Sequence, residues 1–279
     1  MNQKVSIIIA CYNDPDIATA INSAYEQEYK DREIIVVDDG SNSIIKSIIE
    51  ANSNKIDILL SQENKGQAMA RNSGIEKSSG KFILNHDSDD FFEKSFCSKA
   101  VEVFNKEKDV KIVTSKIKRF KKDGNNDIIV PEGGSYENFL FSNGAPGSSM
   151  FLRSEWERVS GYEEILPILG FEDWELYLNM LKDGGRAYVI DEVLFHYQVR
   201  EGSTTQLIKN EKDEKFRHII LKHRDLYSSS DHFASLVNTL FKRVEKNKAA
   251  QGRILDRPEY RLGKLFLKPM RTIKNLFKK

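Results

Sequence analysis

The sequence contains little cysteine and proline and has no long hydrophobic run. Its 279 residues include only two cysteines, Cys11 and Cys97, and six prolines. Two cysteines are too few for a disulfide framework, and no Cys or His spacing resembles a zinc site. The apolar run over residues 5–10 is too short for the core of a signal peptide, and no stretch approaches the ~20 apolar residues that cross a bilayer. We therefore expect a globular protein of the cytoplasm, with membrane contact limited to the inner face of the plasma membrane.

Charge is nearly balanced over the chain but concentrated at its C-terminal end. The formal net charge is +1, yet residues 241–279 contain 13 Lys and Arg residues against three Asp and Glu residues. Apolar residues recur among these cations at helical spacing, at Leu262, Phe266, Met270, Ile273 and Phe277. Such a segment is suited to an anionic membrane surface, so we expect residues 260–279 to bind one. A helix docked on its own domain or on a second copy fits the same pattern, and Pro269 interrupts a single continuous helix.

Short β-rich runs alternate with helical patterns through the first half of the chain. The predicted strands cover residues 5–11, 33–37, 56–60, 82–85 and 111–114, followed by 147–152, 186–190 and 193–199. The predicted helices cover residues 17–29, 44–51, 67–77, 95–105, 136–141 and 172–181, and helical spacing resumes after residue 215. Strand, crossover helix and strand at this spacing predict an α/β fold, with a mainly parallel, Rossmann-like sheet flanked by helices.

Polar segments follow the first four predicted strands. They are Tyr12-Asn13-Asp14, Asp38-Asp39-Gly40-Ser41, Asn64-Lys65-Gly66 and Asp87-Ser88-Asp89-Asp90. The carboxyl ends of parallel strands meet at one edge of the sheet, where α/β proteins bind their ligands. The sequence therefore predicts that these four loops form one ligand-binding rim.

The acidic cluster Asp87-Ser88-Asp89-Asp90 carries the strongest chemical signal. Three carboxylates within four residues repel one another unless a cation or positive groups offset them. Oxygen ligands one residue apart suit a divalent cation that holds a diphosphate, while a solvated helix start capped by Asp90 is the structural alternative. Asp38 and Asp39 similarly fit either a turn with a helix cap, or carboxylates that accept hydrogen bonds from a base or a ribose hydroxyl.

Two predicted helices begin with residues suited to binding or catalysis. Arg71 follows a glycine turn and can reach a base or a phosphate, although an exposed helix cation fits equally well. Glu172 and Asp173 open another helix, where acids are stabilised by the helix dipole. Asp173 is a candidate general base that removes the proton of an acceptor hydroxyl. Trp174 either stacks on a sugar face or packs in the core.

Two further candidates lie near the last predicted strand. His196 is a candidate metal ligand, although a lone histidine in a strand is more often structural. Arg200 is better suited to a leaving diphosphate, because its planar guanidinium pairs bidentately with phosphate oxygens.

Together these motifs resemble family 2 glycosyltransferases of the GT-A fold. The matching segments occur in the family's order over residues 4 to about 205. They are Val5-Ser6-Ile7-Ile8-Ile9 with Tyr12-Asn13, Val37 to Ser41, Asn64 to Asn72, Asp87 to Asp90, and Glu172-Asp173. Each segment is modest alone, whereas five in order are specific. The resemblance implies an inverting transferase that moves a sugar from a nucleoside diphosphate, usually UDP, with Mn²⁺ or Mg²⁺ on the diphosphate.

The resemblance also implies roles for individual residues. Asp173 resembles the catalytic base and Asp89 the metal ligand, with His196 as a possible second ligand. The expected nucleotide-binding residues are Tyr12, Asp14, Asp39, Asn64, Gly66, Arg71, Asp87, Ser88 and Arg200. Glu172 and Trp174 are expected on the acceptor side. Many relatives have a histidine where this chain has Arg200, so the resemblance implies a phosphate contact there in place of a metal ligand.

The implied organisation is a GT-A domain over residues 1–205, followed by a helical extension over residues 206–279. Within that domain, residues 1–115 form the nucleotide-binding half and residues 116–205 the acceptor half. The implied partners are a nucleoside diphosphate sugar and a glycan or polyprenyl-linked acceptor, as in the synthesis of bacterial surface polysaccharides.

Two other functions fit parts of the pattern. A nucleotide-binding scaffold module without turnover would bind UDP but would not transfer sugar. A glycosidase would use Asp89 and Asp173 as paired acids and would need neither metal nor nucleotide. Nucleic acid is not expected as a partner, because no aromatic-and-basic motif of a nucleic-acid-binding module is present.

Overall fold

The computed structural model describes residues 3–120, 124, 126–164, 168–200 and 211–255. The basic segment 260–279, predicted to bind a membrane surface, lies outside the described residues. The chain divides into two compact units, residues 1–223 and residues 224–279.

Within the described residues, nine strands form one sheet. They are β1 (Val5–Cys11), β2 (Arg32–Asp38), β3 (Ile58–Ser61), β4 (Phe82–Asp87), β5 (Phe91–Phe92), β6 (Val110–Phe120), β7 (Asp127–Ile129), β8 (Met150–Leu152) and β9 (Arg186–Gln198). The strand order is β3-β2-β1-β4-β8-β6-β9-β5, and β7 pairs with β6. The prediction of an α/β fold is confirmed.

The first four strands are parallel, as predicted, and they position the acidic loops. All seven residues of β1 are buried, which is typical of a central parallel strand covered on both faces. β1 pairs with β2 on one side, where Cys11 is opposite Asp38, and with β4 on the other, where Ala10 is opposite Asp87. The two acidic loops therefore leave the sheet on either side of the end of β1.

The second half of the sheet is mixed rather than parallel. β8 pairs antiparallel with both β4 and β6, while β6 and β9 are parallel. The two predicted strands at 186–190 and 193–199 are one strand, β9. A register shift in its pairing with β6 accommodates Asp191 and Glu192, the exposed acidic pair that separated the two predictions.

Helices flank the sheet at nearly the predicted places. They are α1 (Ile17–Tyr25), α2 (Ser43–Ala51), α3 (Gln67–Lys77), α4 (Phe96–Lys106), α5 (Tyr136–Phe139), α6 (Arg153–Arg158), α7 (Glu172–Leu181), α8 (Lys212–Lys222) and α9 (Ser230–Leu255), with 3₁₀ turns at Ser53–Lys55 and Arg224–Tyr227. α1 ends four residues before its predicted end, and beyond it the side-chain amide of Gln27 donates to the carbonyls of Ser23 and Glu93. Gly74 allows α3 to lie close to β1, since a Cβ at this position would be only 2.6 Å from Ile8 Cγ2.

α8 packs on α7 within the first unit. His223 Nε2 lies 3.0 Å from Glu175 Oε1, and the Lys222 ammonium donates to the same carboxylate oxygen at 2.8 Å. The Phe216 and Trp174 rings stack with centroids 5.7 Å apart. These contacts and the division of the chain put α8 in the first unit, although it was predicted to belong to the extension. The functional division at residue 205 stays a prediction.

The second unit is described for the turn Arg224–Tyr227 and for α9. Four apolar side chains of α9 are 44 to 65% exposed: Phe233, Leu240, Phe241 and Val244. Among the residues that the structure describes, no helix has both the length and the apolarity needed to cross a membrane.

Candidate active site

A cavity of about 780 Å³ opens at the carboxyl ends of β1 and β4. Eight of the predicted site residues line it: Tyr12, Asp14, Asp87, Ser88, Asp89, Glu172, Asp173 and Arg200. The loops after β1 and β4 thus meet the start of α7 and the end of β9 at one place. Two of the four loops predicted to form one rim, those after β1 and β4, line the cavity, and the structure adds Glu172, Asp173 and Arg200 to them.

The acidic loop after β4 divides its carboxylates between the cavity and the protein interior. Asp87 and Asp89 line the cavity, whereas Asp90 is fully buried and accepts a hydrogen bond from the Gln198 backbone N–H at 2.8 Å. Asp90 is therefore not the cap of α4. Burial, with the charge of Asp87 next in size, raises the pKa of Asp89 to about 6. A carboxylate in this position is better accommodated when a cation is beside it.

Arg200 supplies positive charge to this rim. Its guanidinium donates to Asp14 Oδ1 at 2.9 Å and to Asp16 Oδ2 at 2.8 Å. Its Nε lies 3.3 Å from Asp89 Oδ2. Because Arg200 is about a quarter exposed and lines the cavity, the same fork can pair with an anionic ligand placed there.

Arg71 lies behind the cavity wall and does not line it. Its side chain is 2% exposed, with Nη2 at 2.5 Å from Asp87 Oδ1 and Nη1 at 2.8 Å from Asp173 Oδ1. Burial lowers the pKa of Arg71, but the Asp173 and Asp87 carboxylates outweigh it and raise that pKa well above its usual value. Both ends of the Arg71 guanidinium hold carboxylates in this structure, so a contact of Arg71 with a base or phosphate stays a prediction.

Asp173 stands in the first turn of α7 with its two oxygens in different surroundings. Oδ1 accepts hydrogen bonds from Arg71 Nη1 and from the Tyr162 hydroxyl, at 2.8 and 2.7 Å. Oδ2 accepts none from the described residues and lies against Gly147, where an added Cβ would be only 2.3 Å away. One oxygen is thus fixed, and the other is available at the cavity.

Glu172 lies beside Asp173 in the cavity wall. It is 8% exposed, and its buried Oε2 has no hydrogen-bond partner among the described residues. Burial, followed by the Asp173 charge, raises the pKa of Glu172 to about 7. This carboxyl group can therefore exchange a proton near neutral pH, or receive the hydrogen bond of a bound hydroxyl.

Asp39, Asn64 and Gly66 were predicted to contact a nucleotide, but none of them lines the cavity. The Asp39 carboxylate accepts hydrogen bonds from the backbone N–H groups of Lys65 and Gly66, at 3.0 and 2.9 Å. It also accepts one from the Gln62 amide at 2.7 Å. In this structure Asp39 holds the loop before α3, so any contact with a nucleotide there stays a prediction.

Two predictions about aromatic side chains are corrected. Trp174 is 4% exposed and its indole N–H donates to the Phe139 carbonyl, so it packs in the core and offers no face to a sugar. His196 stacks on Phe91, and its Nε2 lies 2.7 Å from Glu93 Oε1. Its strand neighbours Phe195 and Tyr197 line the cavity, and side chains alternate along a strand, so His196 points to the face opposite the predicted metal site.

Three residues of the site were missed from the sequence. Gln67 donates to Asp87 Oδ1 at 3.0 Å, Tyr162 donates to Asp173, and Gly147 borders its free oxygen. The Gly144-Ala145-Pro146-Gly147 segment signalled a loop without showing which residue it meets. No local pattern marked Tyr162, which lies in a turn eleven residues before Asp173.

The chain is similar in sequence to known glycosyltransferases. A family model described as glycosyl transferase family 2 matches residues 6–148. The putative glycosyltransferase EpsE of Bacillus subtilis (strain 168) is 29% identical over 212 residues, covering 72% of this chain and 74% of EpsE. The UDP-Glc:alpha-D-GlcNAc-diphosphoundecaprenol beta-1,3-glucosyltransferase WfaP of Escherichia coli is 29% identical over 212 residues, covering 73% of this chain and 80% of WfaP.

Solved structures share the fold. S. aureus TarS 1-349 in complex with UDP-GlcNAc superposes with a TM-score of 0.69 at 20% identity, covering 86% of this chain and 73% of that one. The mannosyltransferase PcManGT from Pyrobaculum calidifontis, in complex with GDP-Man and Mn²⁺, gives a TM-score of 0.58 at 17% identity, covering 100% and 88%. The expected GT-A fold is confirmed.

Proposed function

The chain belongs to glycosyl transferase family 2, and we propose that it moves a sugar, with inversion, from a UDP-sugar to an acceptor hydroxyl. It is a glycosyltransferase rather than the glycosidase or silent scaffold that parts of the sequence also fitted. One observation carries the proposal: Asp173 and the acidic loop after β4 line the same cavity. The proposed proton acceptor and the proposed diphosphate site thus border the same cavity.

The donor is proposed to bind at the acidic loop. Asp87, Ser88 and Tyr12 line the cavity where a nucleoside would lie, and Arg200 can exchange its carboxylate partners for diphosphate oxygens. UDP is favoured as the nucleotide because TarS was solved with UDP-GlcNAc and WfaP is named for UDP-Glc.

A divalent cation fits this donor set through Asp89. Among the described residues no group of three or more potential ligands converges, so the protein would supply the Asp89 carboxylate and the diphosphate the remaining oxygens. The burial of Asp89 beside Asp87 leaves negative charge that a cation would neutralise. Bound Mn²⁺ or Mg²⁺ would supply charge neutralisation to the leaving diphosphate.

The proposed transfer requires little of the protein beyond charge and position. The bond between the anomeric carbon and the diphosphate oxygen breaks, and the acceptor oxygen forms the new bond from the opposite face. Asp173 Oδ2 takes the acceptor proton, and the diphosphate leaves with the electron pair of the broken bond. Arg200 stabilises the leaving group most when its charge is fully developed, which lowers the barrier.

We expect donor binding to depend on both Mn²⁺ and Asp89. Calorimetry with UDP, UDP-glucose, UDP-GlcNAc and GDP-mannose should show uptake of UDP compounds with Mn²⁺ and little without it. Asp89→Asn should weaken that uptake by more than about tenfold, or ~1.4 kcal/mol. Asp183→Asn, which removes a carboxylate paired with Arg158 away from the cavity, is the matched control and should bind normally. Tight UDP-sugar binding by Asp89→Asn would remove Asp89 from the donor site.

The acceptor is proposed to be a glycan or a polyprenyl-linked saccharide of bacterial surface polysaccharide synthesis. WfaP is named for a diphosphoundecaprenol-linked acceptor, and it matches 73% of this chain. Glu172 lines the cavity beside Asp173, and we assign it a contact with the acceptor.

A lipid-linked acceptor calls for contact with a membrane, which we assign to the second unit. The exposed apolar side chains of α9 accompany five Lys and Arg residues and only two acids within that helix, and residues 260–279 add further cations. Apolar and cationic side chains together suit an anionic bilayer surface.

We expect the full chain to float with phosphatidylglycerol vesicles and to stay behind with phosphatidylcholine vesicles. A chain ending at Gly252 should float much less, because it loses nine of the basic residues and the apolar repeat at 262–277. Equal flotation of the two chains would contradict the assignment, and a dimer in light scattering without flotation would reassign the surface to a second copy.

A further inference from the structure

We propose that Tyr162 is a positioning residue for the general base: its hydroxyl, held by Asn85, orients the Asp173 carboxylate toward the acceptor. The inference rests on the proposed role of Asp173 as the base. By this inference, a hydrogen-bonded series of buried side chains, from β4 through Tyr162 to α7, contributes to sugar transfer.

Two short hydrogen bonds connect Asn85, Tyr162 and Asp173. Asn85 Nδ2 donates to the Tyr162 hydroxyl at 2.5 Å, and that hydroxyl donates to Asp173 Oδ1 at 2.7 Å. Asn85 is fully buried and Tyr162 is 2% exposed, so water does not compete for these bonds. Because the amide nitrogen only donates, the hydroxyl proton is directed at the carboxylate.

The tyrosine keeps that proton over the working pH range. Burial, followed by the charge of Asp173, raises the pKa of Tyr162 well above its usual value. The hydroxyl is therefore a permanent donor to the carboxylate.

Two donors on one oxygen determine how the carboxylate faces the cavity. Arg71 and Tyr162 both bind Oδ1, which leaves Oδ2 beside Gly147 as the oxygen that can take a proton. Arg71 alone provides one contact about which the carboxylate can turn. The second contact from Tyr162 restricts that rotation, and misplacement of a reacting group by about 1 Å can cost ~10²-fold in rate.

α3 positions both donors. Arg71 belongs to this helix, and the next residue, Asn72, both accepts a hydrogen bond from the Tyr162 backbone and donates one to it. The Tyr162 N–H donates to Asn72 Oδ1 at 2.9 Å, and Asn72 Nδ2 donates to the Tyr162 carbonyl at 3.0 Å. Trp156 Nε1 also donates to Asn72 Oδ1 at 3.1 Å. Neighbouring residues of one helix therefore fix the two groups that orient Asp173.

Tyr162→Phe tests the role of the hydroxyl, because the ring that fills the core is kept. UDP release is measured from UDP-glucose or UDP-GlcNAc, whichever the calorimetry selects, with saccharide or water as acceptor. We expect kcat to fall by about 10- to 100-fold. Donor affinity and donor KM should stay within about twofold of the parent, because Asp173 is the one cavity-lining residue among those described to which the hydroxyl is hydrogen-bonded. Tyr29→Phe, which removes a hydroxyl bonded to the Gln3 carbonyl, is the matched control and should keep full kcat.

A double-variant comparison separates this inference from the proposed function. Tyr162→Phe should cause less than about a twofold further loss in an Asp173→Asn background, since a positioning residue acts only through the base. If Asp173→Asn is inactive while Tyr162→Phe retains full kcat, this inference is overturned and the proposed function stands. If Asp173→Asn itself keeps full kcat, the proposed base fails. Losses that multiply in the double variant would overturn the positioning role.

Stability is controlled with a paired variant. Phenylalanine leaves Asn85 Nδ2 without an acceptor, which lowers the melting temperature of the single variant. Asn85→Leu with Tyr162→Phe removes both polar groups and should recover part of the melting temperature while kcat stays low. Recovery of kcat together with stability would overturn the inference.

Discussion

Asp173→Asn is expected to lower sugar transfer by roughly 10² to 10⁴-fold while Mn²⁺-dependent binding of the UDP-sugar is retained. The asparagine oxygen can still accept hydrogen bonds from Arg71 and Tyr162, so the side chain keeps its place. The group facing the cavity becomes an amide that cannot take the acceptor proton. The measurement is kcat for UDP release, set beside calorimetry of the donor.

Asp173→Asn also removes a negative charge beside the buried Arg71, so its effect on stability needs a control. Arg71 is 2% exposed and would keep only Asp87 as a charged partner, so the variant is expected to melt at a lower temperature. Glu175→Gln makes the same chemical change two residues further along α7, where the buried carboxylate pairs with His223 and Lys222. It should also melt lower but should retain turnover. Unchanged turnover in Asp173→Asn would remove Asp173 from the mechanism.

Gly147→Ala is expected to reduce transfer by about 10²-fold through the same carboxylate. A Cβ at this position would lie 2.3 Å from Asp173 Oδ2 and 2.8 Å from its Cγ, so the carboxylate must move. Oδ1 is held by two donors, and movement of Oδ2 therefore breaks contacts that orient the base. The expected signature is a low kcat with donor affinity close to that of the parent.

The matched change is Gly252→Ala in α9, where an added Cβ meets no atom within 4 Å. That variant should keep full turnover, and alanine should slightly stabilise the helix. A Gly147→Ala variant as active as Gly252→Ala would show that the carboxylate next to Gly147 does not need its observed position. A Gly147→Ala variant that loses donor binding as well would place the loop in the donor site.

Most of the fold was predictable because its signals are local. The apolar run of β1 and the helical spacing of α3 and α7 each lie within about a dozen residues, and their predicted bounds match the structure. The antiparallel pairing of β8 was not predictable, since three residues contain no information about which neighbour they join. β9 was split in two because its exposed acidic pair resembles a turn when the register of β6 is unknown.

The candidate site divides in the same way. The acidic loop after β4 and Asp173 at the start of α7 were predicted from their neighbours in sequence, and both line the cavity. Trp174 and His196 were assigned to the site because of their residue types. Their directions depend on helix and strand packing, which turns one toward Phe139 and the other toward Glu93.

The sequence by itself determined which groups are available: an α/β sheet with carboxylates at the ends of its strands, a helix that begins with acids, and a basic C-terminal segment. Periodicity and composition act over short distances along the chain, so they can be read without a structure. Only the tertiary structure decided that Arg71 joins Asp87, 16 residues away, to Asp173, 102 residues away. Such contacts form because a fully buried charge must find partners wherever the packing of the fold brings them, and no local pattern specifies that place.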